Sequence, residues 1–526
     1  MTSAPHRDTA GPVPAHARGT YASCLAAAHR RFARRDAFVA GPGAAVGFAE
    51  AERRAASVVG GLRALGLRPG ARVVIALEND VRAMLAERAV MLWGITRVGV
   101  SARMHPLEVA HVVADSGASV LLCEDRHADG LPADLRRRVA VVARDSGHST
   151  GPGLAELCAG TADPGCWPGA TPDSAASLMY TSGTTGRPKG AVNSQAAWAS
   201  MAGAVASFLP PVAEGDVLLH AAPFAHFSGS VGAAYATRGG AYAALPKFEP
   251  AALADAVERV GATCLPLVPT MLADLVRAVE SGAARVPRGL RAVPYGGSTV
   301  SPRTVVRARE LLGDVLVQFY GASEALIPTT VLSRAAHRDL RADAPAVPAG
   351  VPGPGTRLRL REPRDGVGEI EVRGPRTMSG YWGDRARTGQ VLGADGWLAT
   401  GDAGRLGPGR VLFITGRTRE VIISGGFNVY PAEVERVIDG LPQVAESAVF
   451  AVPHERWGEC VAAAVAPRPG RTVTPESVVA ACGRELASYK KPVLVEIVER
   501  LPRTSTGKVD RRALSRSAAK RSEQSA

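Results

Sequence analysis

Apolar positions recur at helical spacing from Glu52 to Leu65, stop at Gly66, and give way to the apolar run that follows Arg72, Val73-Val74-Ile75-Ala76-Leu77. A 3.6-residue period predicts an amphipathic helix, and a short run rich in β-branched residues predicts a strand buried on both faces. A second helical pattern runs from Val81 to Trp93, and the strand rhythm continues at Val120-Leu121-Leu122 and Val139-Ala140-Val141-Val142. Helix and strand in alternation predict a parallel sheet flanked by helices, an α/β fold. The Gly- and Pro-rich span from Gly151 to Pro172 reads as a surface linker.

Near Arg417 the pattern changes. Gly425-Gly426 reads as a turn, Pro431 suits the first position of a helix carrying Val434, Val437 and Ile438, Gly440 suits its end, and Ala448 to Val452 is strand-like. A chain of 526 residues exceeds one compact core. We therefore expect a large N-terminal domain of helix-flanked sheets over 1–416 and a small α+β domain over 417–526. The tail 515–526 is polar and charged and reads as disordered.

Composition narrows the function classes. Hydrophobic residues make up 46% of the chain, yet no uninterrupted apolar run reaches the about 18 residues of a membrane span, and Met1 to Arg18 lacks an apolar signal core. We expect a cytoplasmic protein with no membrane insertion. Seven cysteines, an odd number without paired short spacings, suit neither a zinc site nor a disulfide framework. The net charge of +13 comes from scattered arginines without a zinc finger or basic helix, and aromatics are only 5%, so no nucleic-acid partner is expected.

The richest chemistry lies in Tyr180-Thr181-Ser182-Gly183-Thr184-Thr185-Gly186-Arg187-Pro188-Lys189-Gly190. Glycines let backbone N–H groups approach oxygen atoms, the hydroxyls of Thr181, Ser182, Thr184 and Thr185 donate further hydrogen bonds, and Lys189 adds a mobile positive charge. That is a phosphate loop. It is not a Walker loop, because Pro188 stands where the second Walker glycine belongs and Gly190 where the Mg²⁺-binding Ser or Thr belongs. Only six of the 62 basic residues are lysine, among them Lys189, Lys490, Lys491 and Lys508, so each retained lysine marks a place where a compact ammonium suits better than a guanidinium fork.

The same loop resembles the signature of the adenylate-forming superfamily, which comprises acyl-CoA synthetases, peptide-synthetase adenylation domains and luciferases. Further stretches are similar to that family: Gln318-Phe319-Tyr320-Gly321-Ala322-Ser323-Glu324, Trp397-Leu398-Ala399-Thr400-Gly401-Asp402, Gly416-Arg417, Ser488-Tyr489-Lys490-Lys491-Pro492 and Leu501 to Arg511 around Lys508. The resemblance implies a small, mobile C-terminal domain, with the active site between it and the large one. It also implies ATP, Mg²⁺ and CoA as cofactors, with a small carboxylic acid as substrate.

By that resemblance Gly183, Thr181, Ser182, Thr184, Thr185 and Lys189 bind the ATP phosphates, joined by Ser323 and Gly321. Tyr320, Gly297 and Ser298 contact the adenine, Asp402 takes the ribose hydroxyls and Arg417 is a second nucleotide contact. Glu324 holds Mg²⁺, and Lys508 reaches the α-phosphate and the carboxylate. Arg419 occupies the hinge, where the family has Asp or Lys. After domain rotation Ser424, Gly425 and Gly426 line the channel for CoA. His226, in Pro223-Phe224-Ala225-His226-Phe227-Ser228-Gly229, gates an acyl pocket that includes Phe227, Ser230, Tyr295, Gly296, Ala322 and Leu326.

A carboxylate is a poor acyl donor, and its attack on the α-phosphate of ATP, with loss of pyrophosphate, converts it to a mixed anhydride with a good leaving group. The carboxylate is already ionised at neutral pH, so the step calls for cations rather than a base. A CoA thiol then yields the thioester and AMP. The pocket element lacks the Asp that amino-acid adenylation domains use, and its residues are mostly apolar or small, which favours a fatty, aryl or alicyclic acid. Two alternatives stand beside this reading: transfer to a separate carrier protein or a nitrogen nucleophile instead of CoA, and a catalytically silent binding protein.

Overall fold

The computed structural model describes residues 19–181, 188–418, 420–424, 427–454, 458–486, 488–504 and 507–524. The expected alternation produces a seven-stranded sheet with the order Gly380–Tyr381, Lys189–Ser194, Ala175–Thr181, Thr96–Gly99, Arg72–Ala76, Val120–Cys123, Ala140–Ala143. Strands Ala175–Thr181 through Ala140–Ala143 in that order pair in parallel, and the first two pair antiparallel. The helices Phe48–Ala64 and Val81–Leu92 cover this sheet, burying Val58, Val59, Leu62, Met84, Val90 and Leu92.

A five-stranded sheet packs beside it, in the order Ala262–Cys264, Val217–His220, Ala241–Ala244, Asp36–Gly41, Ala44–Gly47. Two four-stranded sheets complete the large domain. One runs Val293–Tyr295, Leu316–Tyr320, Thr330–Leu332, Val351–Pro352, and the other Arg357–Arg364, Val367–Arg373, Leu398–Leu406, Leu412–Arg417. Tyr320 and Arg417 thus stand at the ends of strands from two different sheets.

The small domain is α+β, as expected. Its sheet has the order Phe427–Val429, Ile422–Ser424, Gly458–Pro467, Val444–His454, with Leu494–Ile497 beside Gly458–Pro467. Helix Pro431–Asp439 buries Val434, Val437 and Ile438 against it, and Gly440 caps the helix in a right-handed conformation.

Two expectations need correcting. The span Gly151 to Pro172 is not a bare surface linker: it contains the helix Leu154–Ala159, whose Leu154, Leu157 and Cys158 are buried, and Trp167 also joins the main core. A helix of so few turns leaves no readable period among Gly and Pro. The tail from Ser515 is helical too, within Arg511–Gln524, and buries Leu514 and Ala518 against the sheet of the small domain. Two apolar residues four apart suffice to dock a polar helix on one stripe. No helix among the described residues is long and apolar enough to cross a membrane. The seven cysteines form no disulfide.

Candidate active site

Strands Ala175–Thr181 and Lys189–Ser194 form an antiparallel pair in which Thr181 lies opposite Lys189. The phosphate-loop residues Ser182, Gly183, Thr184 and Thr185 lie outside the described residues, as do Arg419, Gly425 and Gly426. Of Thr181 only the backbone is described. The hairpin register nevertheless fixes Lys189 at the base of the loop. Its ammonium lies 3.6 Å from Glu324 Oε1 and 3.9 Å from the centroid of the Tyr381 ring.

Tyr381 completes this corner. Its hydroxyl donates to Glu324 Oε1 at 2.8 Å and also meets Lys189 Nζ. It escaped the sequence reading because it stands 192 residues from Lys189. Its one local signal is Gly380, whose φ of +145° sets an unusual backbone just before the ring. Asn193 was missed as well: fully buried, it donates to the Ser323 carbonyl at 3.0 Å and so ties the hairpin to the Glu324 segment.

The corner around Asp402 is built by register. Asp402 lies opposite Arg417 across neighbouring strands, with Arg417 Nε 3.1 Å from Asp402 Oδ1. Tyr320 donates its hydroxyl to the other carboxylate oxygen at 2.7 Å. Burial pushes the Asp402 carboxyl above its ordinary range, against the pull of Arg417 and Tyr320. The Tyr320 hydroxyl is raised too, by burial and by Asp402. Gly297, with φ +100°, and Ser298 lie in an exposed turn after strand Val293–Tyr295.

Lys508 enters from the small domain. The residue is exposed overall, but surrounding protein and Arg417 push its pKa below the ordinary lysine value, while Asp402, Glu420 and Glu324 oppose that shift. One lysine therefore feels both carboxylates of the site and the arginine. It also lowers His226 electrostatically. Of the other two lysines singled out in the small domain, Lys490 and Lys491, Lys490 is an ion-pair partner of Glu433 at 2.6 Å, which accounts for it structurally.

A second corner, the one expected to take the acid, centres on His226, the residue just before helix Phe227–Ala236. Its Nε2 is shielded and has no hydrogen-bond partner among the described residues. Burial, then Arg97 and Lys508, lower the imidazole to about 4, so it is neutral at physiological pH. Phe227 packs directly over Gly296, where an added Cβ would stand 2.9 Å from the ring and 2.2 Å from the Phe319 carbonyl oxygen. Ser230 is buried on the same helix, one turn after His226, and Leu326 is buried in the main core. Ala322 closes a tight turn with Ala325.

Tyr295 does not wall this pocket with its ring, contrary to expectation. Its hydroxyl meets His337 Nε2 at 2.9 Å and the side chain lies in a separate apolar cluster with Leu267, Leu272 and Val305. Strand alternation explains this: successive residues point to opposite faces, so Gly296 turned toward Phe227 sends Tyr295 the other way. Gln195 is buried and accepts from the Ala22 N–H at 3.1 Å, and His105 caps helix Pro106–Ser116 through Nδ1. Ser424 is buried at the end of its strand in the small domain.

Glu324 would be the protein's carboxylate for Mg²⁺. Among the described residues no group of three or more His, Cys, Asp or Glu could hold a metal ion. A single carboxylate beside a phosphate loop suits Mg²⁺, which keeps several waters and binds chiefly through substrate phosphates. There it would neutralise charge on the phosphate oxygens.

Comparison with known proteins identifies the family. Residues 25–382 match the family described as AMP-binding enzyme, and residues 433–508 match the AMP-binding enzyme C-terminal domain. A feruloyl-CoA synthase from Amycolatopsis sp is 35% identical over 484 residues, covering 89% of this chain and 93% of that protein. An indoleacetate–CoA ligase from Aromatoleum aromaticum is 36% identical, covering 76% of this chain and 79% of its own length. The solved structure of the amide bond synthetase McbA from Marinactinospora thermotolerans superposes with a TM-score of 0.82 at 30% identity, covering 94% of this chain and 99% of that one. The chain belongs to the AMP-binding enzyme family, the adenylate-forming ligases that use ATP to activate carboxylic acids.

Proposed function

We propose that the protein activates an aryl or otherwise largely apolar monocarboxylic acid as its acyl-adenylate and passes the acyl group to CoA. The observation that carries this reading is the pairing of Lys189 with Glu324 and of Arg417 with Asp402, with Lys508 acting electrostatically on both carboxylates, on Arg417 and on a neutral His226. A carboxylate oxygen attacks the α-phosphorus, a P–O bond to pyrophosphate breaks, and no proton transfer is needed. Lys508 meets the charge that grows between the carboxylate and the α-phosphate, Lys189 holds the outer phosphates, and Asp402 with Tyr320 and Arg417 fixes the nucleoside. The neutral imidazole of His226 orients the acid without pairing with its charge. In the second half-reaction the CoA thiolate attacks the acyl carbon and AMP leaves.

The relatives named for ferulic acid and indoleacetic acid support an aryl acid, as do the small residues Gly296, Ser230 and Ala322 around Phe227. We place the domain boundary at 416/417 and the protein in the cytoplasm, in keeping with its unpaired cysteines. A second reading, transfer to an amine, is favoured by the likeness to the amide bond synthetase over nearly the whole chain.

The test is to incubate the protein with ATP, Mg²⁺ and a panel of aryl, fatty, amino and inorganic acids, with CoA, with amines or with neither, and to follow products by mass spectrometry beside Lys508→Ala. A thioester that disappears in the variant supports the CoA ligase. Amide formed in preference to thioester when CoA and amine compete would establish the second reading. Absence of any adenylate would overturn both.

A further inference from the structure

Arg97 is an arginine in the middle of a sheet. It lies on strand Thr96–Gly99, between Arg72–Ala76 and Ala175–Thr181, and is only 1% exposed. A guanidinium in such a place is costly unless its charge and its N–H groups are all answered. Glu87 on helix Val81–Leu92 answers the charge through Nε. Burial raises the Glu87 carboxyl and the two arginines Arg97 and Arg88 pull it back. The guanidinium also lies 5.8 Å from the centroid of the Trp198 ring.

Gly99 makes the space. An added Cβ at this position would stand 2.5 Å from Arg97 Cζ, so the guanidinium fills the volume that any other residue's side chain would claim. At the other end of the guanidinium, Arg97 Nη2 donates to the carbonyl of Ala225 at 2.9 Å. Ala225 is the residue before His226. The preceding turn is clamped by Asn79, which accepts from the Phe224 N–H at 3.0 Å and donates to the His220 and Ala222 carbonyls at 2.7 and 3.0 Å. His226 itself has φ −125° and ψ −131°, outside the regular regions, so its orientation depends on what holds its neighbours.

We propose that Arg97 is a positioning residue of the acyl pocket: seated in the space left by Gly99 and neutralised by Glu87, it holds the Ala225 carbonyl and thereby aims the His226 imidazole at the acid. The proposal rests on the reading of His226 as a wall of the acyl pocket. It carries a consequence for specificity. Because Glu87 already engages Arg97, this buried cation is not a receptor for a second carboxylate of the substrate, and the pocket selects monocarboxylic acids.

The test uses the full chain and the best acid found in the substrate panel. Arg97→Met combined with Glu87→Met removes the pair without stranding either charge, and Gly99→Ala displaces the guanidinium while keeping its charge. Each is expected to raise the KM for the acid at least fivefold while the KM for ATP changes less than twofold. A fall in acid affinity matched by an equal fall in ATP affinity would assign the pair to general packing and overturn the proposal. So would folded variants with a wild-type acid KM, and so would failure of both variants to fold. If only the double variant fails to fold, the acid KM of Gly99→Ala decides alone. His226→Ala separates the two layers: an unchanged acid KM there removes the acyl-pocket reading itself, and with it the proposal. A raised KM there, with the Arg97 variants silent, removes only the positioning role.

Discussion

The Tyr381 hydroxyl donates to Glu324 Oε1 at 2.8 Å while the Lys189 ammonium rests 3.9 Å from the centroid of the same ring. One side chain therefore sets the spacing between the phosphate-loop lysine and the carboxylate proposed for Mg²⁺. The hydroxyl fixes the carboxylate oxygen by a charge-assisted bond, and the ring face holds the cation.

Tyr381→Phe keeps the ring and deletes the hydroxyl. A hydrogen bond to a charged group is worth about 1.5–3 kcal/mol, so we expect the KM for MgATP to rise by roughly ten- to a hundredfold. The KM for the acid should hold. Steady-state pyrophosphate release at varied MgATP measures this, and equal changes for both substrates would contradict it.

Lys508→Ala should suppress adenylation by roughly a hundredfold or more, the scale of losing a preorganised charge-stabilising group. Transfer from a supplied acyl-adenylate to CoA should survive if the lysine serves the first half-reaction alone. Rapid-quench assay of the two half-reactions distinguishes the cases, and an equal loss in both would place Lys508 in a structural role.

Gly296→Ala should lower stability by about 1–3 kcal/mol, the usual cost of overpacking, because the nearest atom its Cβ meets is the backbone oxygen of Phe319. A side-chain ring can yield by a small rotation; a strand carbonyl cannot. Thermal denaturation of the variant would show the drop, and an unchanged Tm would mean that Phe227 and the strand are not packed as described.

Asp439 supplies a pH signature of the small domain. Burial, with Glu435 and Glu446 nearby, raises its carboxyl to about 7, although Ser447 donates to Oδ1 at 2.7 Å and opposes the shift. The folded value lies above the unfolded one, so the folded state binds the proton more tightly. The stability from this group is thus complete below about pH 4 and is lost as pH rises through about 7. Asp439→Asn mimics the protonated acid and should lessen the decline in Tm between pH 5 and 8. A variant that declines as steeply as the parent would refute the assignment.

Motifs and periods were legible because they are local. The helix over Val81–Leu92, the strand Arg72–Ala76 and the helix that begins at Pro431 each declare themselves within a few residues. The short helix Leu154–Ala159 and the docked tail helix do not, since their burial depends on partners far along the chain.

What the sequence by itself determined is the chemistry on offer: a phosphate loop ending in Lys189, acidic groups at Glu324 and Asp402, a late lysine at 508, and an α/β chain long enough for two domains. Residue type and short spacing carry that information directly. Only the tertiary structure decided that Tyr381 stands between Lys189 and Glu324, that Tyr295 turns to His337, and that Arg97 reaches the carbonyl before His226. Side-chain direction in a strand is a two-way choice settled by packing on each face, and contacts between distant segments depend on sheet order, which no local pattern contains.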